Sequence, residues 1–160
     1  ILRRLVLRTT RDVDIVAIIR QGALCAPVPM PTELLKAAKE VAEDLGLPDD
    51  WLNNGPSRNE GGLFQMGLPV GLQDRLARRV YGDRLTIHVI GRVDQIHFKL
   101  YAAADRGGYH IADLRALSPN PDELLAAARW AMTHDVSVEF AGILEALLRH
   151  LGHDPVADRL

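Results

Sequence analysis

Proline and glycine cut this chain into short segments, and the hydrophobic period changes from one segment to the next. Between Pro31 and Gly46 the residues Leu34, Leu35, Ala38, Val41, Ala42 and Leu45 recur at helical spacing. Thr32 to Leu45 is therefore predicted as a helix, opened at Pro31 or Thr32 and stopped by Gly46 with Pro48. Upstream, Leu5 to Ile19 reads as one or two strands that run into the loop Ala26-Pro27-Val28-Pro29-Met30-Pro31. Downstream comes a polar loop through Asn53-Asn54-Gly55-Pro56, with Trp51 a candidate for the core. An Arg-rich helix is expected from Val70 to Tyr81, ending at Gly82, and then a strand from Leu85 to Ile90. Helices follow over Val93 to Asp105, closed by Gly107-Gly108, then Ile111 to Leu117, Pro121 to His134 and Val138 to Leu151. A small mixed sheet flanked by helices, with a helical back third, is an α+β (or α/β) architecture. The expected organisation is a core over residues 1–117 and a C-terminal helical part of the same domain over 118–160.

A chain of 160 residues fits one domain with a single core. With 48% hydrophobic residues and a formal charge of −2, it is neither basic enough to advertise nucleic-acid binding nor acidic enough to suggest a disordered tail. Cys25 is the one cysteine, which excludes an intramolecular disulfide and a zinc-binding cysteine cluster and fits a cytoplasmic protein. No apolar run is long enough to span a bilayer, so no membrane partner is expected. Ile1-Leu2-Arg3-Arg4 lacks the apolar core of a signal peptide and there is no initiator Met, so the natural N-terminus is expected upstream.

Two stretches carry chemistry. In Arg8-Thr9-Thr10-Arg11-Asp12-Val13-Asp14-Ile15-Val16 two carboxylates stand two residues apart in a β-branched run. On a strand Asp12 and Asp14 share one face, with Val13 and Ile15 turned toward a core. Such a pair suits Mg²⁺, a hard ion held by one or two carboxylates together with substrate phosphates. It also suits a strand end with two solvated acids beside Arg8 and Arg11, the commoner meaning of so short a motif. The second stretch runs from Phe98 to Leu114. Ile96, Leu100 and Ala103 mark the buried side of a helix and Lys99 lies at its edge, where a lysine either snorkels or points into a cleft as a charge for a triphosphate. Asp113 is either an ordinary first-turn acid or part of the same polar site. His150 and His153 with Asp154 read as helix-end charges, because no matching ligands stand at zinc spacing. His97 and His110 flank the lysine stretch as helix-surface residues, and Ser57, Ser118 and Cys25 lack a nucleophile-elbow pattern.

Taken together, Arg8-Thr-Thr-Arg-Asp12-Val-Asp14, Lys99-Leu-Tyr-Ala-Ala-Ala-Asp105-Arg106 and Asp113-Leu114 resemble the AbiEii-type, abortive-infection toxin-like nucleotidyltransferases of the DNA polymerase β superfamily, in a bacterial, actinobacterial-looking branch. The resemblance extends from Arg8 to Leu117 in order and approximate spacing. It implies a polymerase β-type core in which Asp12 and Asp14 bind Mg²⁺ and Lys99 contacts the nucleotide phosphates. Asp113 would orient Lys99 or help activate the acceptor, and Arg11 and Arg106 are further candidates for phosphate contact. The implied reaction moves a nucleoside monophosphate from an NTP to a tRNA or protein acceptor, as in the toxin of a toxin–antitoxin pair with a cognate antitoxin. The alternative is a catalytically silent relative that serves as a protein-binding or nucleotide-sensing module. Members of the group carry a Gly-Gly or Gly-Ser turn about a dozen residues before the acidic pair, and this sequence begins too late to include it. Their third carboxylate has no counterpart in Leu85 to Ile90, where the outward polar residue is His88, a poor ligand for Mg²⁺.

Overall fold

The computed structural model describes residues 12–59 and 61–160. They belong to an α+β protein that divides into two compact units, one of residues 12–68 and one over Pro69–Leu160. The part of the first expected strand before Asp12, Arg11 included, lies outside the described residues.

In the first unit, β1 (Val13–Asp14) is followed by a hairpin of β2 (Ile18–Arg20) and β3 (Ala23–Cys25). Helix α1 spans Thr32–Leu45, and Gly46 closes it in the left-handed region at φ 63°, a conformation that favours glycine. Its inner stripe is narrower than the periodicity suggests. Ala38 and Ala42 are buried, whereas Leu35 and Leu45 are exposed. Trp51 is half-buried, and its indole Nε1 donates to the Ala38 carbonyl on α1 at 2.9 Å. The chain then enters β4 (Leu52–Asn53), a 3₁₀ turn over Gly55–Ser57 and the short helix α2 (Leu63–Met66). Strand β4 pairs in parallel with β1, so α1 lies on the crossover between two parallel strands. The buried Ser57 ties this segment down by donating from Oγ to the Val16 carbonyl at 2.8 Å. A Cβ on Gly62 would come within 2.9 Å of backbone atoms of Ser57 and Asn59, which requires glycine there.

The second unit opens with α3 (Leu72–Arg75) and a hairpin of β5 (Ala77–Tyr81) and β6 (Leu85–Val89). The Arg-rich helix expected over Val70 to Tyr81 is thus one turn of helix followed by a strand. Alternation of Arg78 and Val80 with Arg79 and Tyr81 gives two faces, and register with Leu85–Val89 supplies the ladder that a single helix could not. Strand pairing among the described residues forms three separate two-stranded sheets rather than one mixed sheet. Five helices follow: α4 (Arg92–Arg106), α5 (Tyr109–Ala116), α6 (Pro121–Ala131), α7 (Val138–His150) and α8 (Asp154–Ala157). Helix α4 is central and packs on α5, α6 and α7. Its Ile96 and Leu100 are fully buried together with Leu114, Leu124, Leu144 and Leu148. Trp130 of α6 meets the rings of His97, Phe98 and Tyr101 edge-on, so His97 is a core residue rather than a surface one.

Two arginines organise this unit. Arg75 donates to both oxygens of Asp94, a carboxylate with no exposed surface in the first turn of α4. Arg92 donates from Nε to the Leu117 carbonyl at 2.7 Å, from Nη2 to the Ser118 carbonyl at 2.7 Å, and through both Nη atoms to Glu123 at 2.6 and 3.0 Å. Glu123 also accepts from the Asn120 amide, and the Asn120 side chain returns the bond, which makes a capping box at the start of α6.

Arg92→Met should cost about 2–3 kcal/mol in chemical denaturation, because two helix-end carbonyls and a carboxylate lose their donor together. The Arg92 hydrogen bonds hold Glu123 below the ordinary glutamate value of 4.5. With its folded value depressed, Glu123 contributes stability above its unfolded value and loses it as pH falls through the folded one. The stability difference between the parent and Glu123→Gln should therefore shrink as unfolding is measured from neutral pH to below 4.5.

Candidate functional site

Asp14 closes β1 and Asp12 lies two residues before it; both are exposed. The strand is held by the Val13 amide, which donates to the Trp51 carbonyl at 2.6 Å, and by the Ile15 amide, which donates to the Asn53 carbonyl at 2.7 Å. Asp14 therefore stands directly opposite Asn53 in the register. Val13, expected to turn into a core, is 49% exposed, and Ile15 is half-buried. A ladder two residues long carries only the beginning of an inner face. Two exposed carboxylates are a donor set that fits Mg²⁺, which keeps several waters and takes further oxygens from phosphate. Among the described residues, no group of three or more His, Cys, Asp or Glu side chains is placed to hold a metal ion. His88 sits in β6 opposite Arg78.

Behind Asn53 the chain wraps an open cavity of about 350 Å³, lined in part by Met30, Leu35, Asp50, Leu52, Asn53 and Arg58. Its frame is fixed locally. Asn53 Oδ1 accepts from the Gly55 amide at 2.7 Å, and a Cβ on Gly55 would lie 2.8 Å from that oxygen. The buried Asn54 donates to the Pro27 carbonyl at 2.8 Å and accepts from Arg58 Nε at 3.2 Å. From sequence this region reads as a polar loop. Its one early signal was the run Asp49-Asp50-Trp51-Leu52-Asn53-Asn54, which is polar around an apolar pair.

In the second unit, Lys99 and Asp113 come together. Lys99 projects from α4 with its side chain 23% exposed, and Nζ donates to Asp113 Oδ2 on α5 at 2.7 Å. The ammonium also stands 5.8 Å from the centre of the Tyr109 ring. Asp113 is 4% exposed on its side chain and belongs in the middle of α5, not in its first turn. The meeting depends on the reversal between the helices, where Gly107 and Gly108 take φ 63° and 60° with ψ near −139° and −136°, a region open to glycine. Arg106 is exposed at the end of α4 and pairs with Asp105 at 3.4 Å. Arg92, Asp94 and Glu123 carry no motif in the sequence beyond the capping-box spacing of Asn120 and Glu123.

Compared with protein-family models, curated proteins and solved structures, the chain matches none. No helix among the described residues is long and apolar enough to cross a membrane.

Lys99→Met should destabilise the protein by about 2–3 kcal/mol, since it removes the cation beside a nearly buried carboxylate. Lys99→Met with Asp113→Leu should recover at least half of that loss. A double-mutant cycle in denaturant measures the coupling.

Proposed function

We propose that this chain is a Mg²⁺-dependent nucleotidyltransferase that transfers a nucleoside monophosphate from an NTP to a tRNA or protein acceptor. The observation that carries the reading is the Lys99–Asp113 pair, an ammonium directed by a nearly buried carboxylate yet still reachable from solvent. The exposed Asp14 at the end of β1 and Asp12 just before that strand support it as the metal-holding residues. Bound Mg²⁺ would neutralise charge on the transferring phosphoryl group. Lys99 donates to phosphate oxygens, and Asp113 acts as its positioning residue by accepting from Nζ and limiting its rotamers. Arg106 and Arg11 are further phosphate contacts in this reading. A bond forms between the acceptor oxygen and the α-phosphorus while the α–β anhydride bond breaks. Pyrophosphate leaves, and the acceptor proton passes to solvent. In the cell the reading places the protein in the cytoplasm as the toxin of a pair with its own antitoxin.

Incubation with each α-³²P-labelled NTP, Mg²⁺ and a cell extract should pass label to a macromolecule. Asp12→Ala and Asp14→Ala should abolish the transfer while leaving circular dichroism unchanged. Lys99→Met, corrected for its folded fraction, should raise the NTP concentration required. Absence of label with every nucleotide from folded protein would favour the silent binding or sensing module.

A further inference from the structure

The cavity beside β4 holds opposite charges that do not pair with one another. Asp49, Asp50 and Arg58 all line it, yet none of the three is in an ion pair among the described residues. Arg58 uses Nε on Asn54, which fixes the guanidinium and leaves both Nη atoms to donate elsewhere. Met30, Leu35 and Leu52 supply apolar wall. Asp49, Asp50, Asn53, Asn54 and Arg58 make most of the lining polar, and the volume lies in the size range of small-molecule sites. Unpaired charges of both signs call for a ligand that offers donors and acceptors at once on a flat apolar body.

We propose that this cavity binds the nucleoside moiety of the nucleotide substrate, an inference that rests on the nucleotidyltransferase reading. A base and ribose together fill a volume of this order. The carboxylates of Asp49 and Asp50 accept from the ribose hydroxyls, as acidic residues do at other nucleotide sites. Arg58 donates to ring nitrogen or carbonyl oxygen of the base, and Leu52 and Met30 cover its face. The placement follows from the ladder. Asp14 and Asn53 are register partners on neighbouring strands and Asn53 lines the cavity, so the cavity adjoins the strand that carries Asp14.

The test is titration of the whole chain with adenosine, guanosine, cytidine and uridine and their 2′-deoxy forms, without Mg²⁺, followed by NMR or calorimetry. At least one ribonucleoside should bind in the millimolar range or tighter. Its Kd should rise about tenfold or more in Asp49→Asn with Asp50→Asn, in Arg58→Gln, and on removal of the 2′-hydroxyl. The two Asp→Asn exchanges are near-isosteric and all three positions are exposed, and circular dichroism checks that each variant keeps the fold. Failure of every nucleoside to bind, or binding that all of these changes leave unaltered, overturns the proposal. The labelled-NTP assay separates the two ideas. Transfer that the cavity variants do not affect defeats the subsite and leaves the nucleotidyltransferase reading intact. Nucleoside binding that the variants weaken, in a protein with no transfer activity, upholds the subsite and defeats the reading.

Discussion

The guanidinium of Arg92 is the joint of the second unit. At the first residue of α4 it gathers the Leu117 and Ser118 carbonyls at the end of α5, which helix geometry leaves without intrahelical partners, together with the first-turn carboxylate of α6. Three helices are thereby fixed at one point. The neighbouring Asp94, fully buried in the same turn of α4, is balanced by Arg75 from α3. Buried ion pairs of this kind add little net stability over an apolar core, but they tolerate very few alternative arrangements. The angle of α5 against α4 follows from this joint at one end and from the Gly107-Gly108 reversal at the other. That angle is what sets Asp113 over Lys99.

Much of the helical framework can be read from local sequence. The bounds of α1 are stated by Pro31 and Gly46, and α4 has Ile96, Leu100 and Ala103 on the side that the structure buries. Strand pairing is less legible because its energy is not local. Arg78 to Tyr81 carries Arg, Arg, Val and Tyr, a set compatible with a helix until Leu85–Val89 is laid against it in register. The strands β1 and β4 contain two residues each, and neither has a period to detect. Their pairing arises from the crossover through α1, a property of the fold and not of either segment.

The chemistry-bearing residues divide in the same way. Asp12, Asp14, Lys99 and Asp113 stand out in the sequence because their spacing against apolar neighbours is unusual. Their surroundings do not. That Lys99 faces Asp113 depends on two helices folding back on each other. That Asp50 and Arg58 line one cavity depends on the turns at Gly55 and Asn54. Polar loops carry no periodicity, so their side-chain convergence appears only in three dimensions.

The two tryptophans fall one to each unit: Trp51, bonded to α1, and Trp130, at the aromatic contact of α4 with α6. Each unit thus contains its own intrinsic fluorophore, set against the helix on which that unit is built. Single Trp→Phe replacements turn the chain into a pair of spectroscopically separate reporters. The melting of the segment that bears the acidic pair can then be followed apart from the melting of the helical array that bears the lysine.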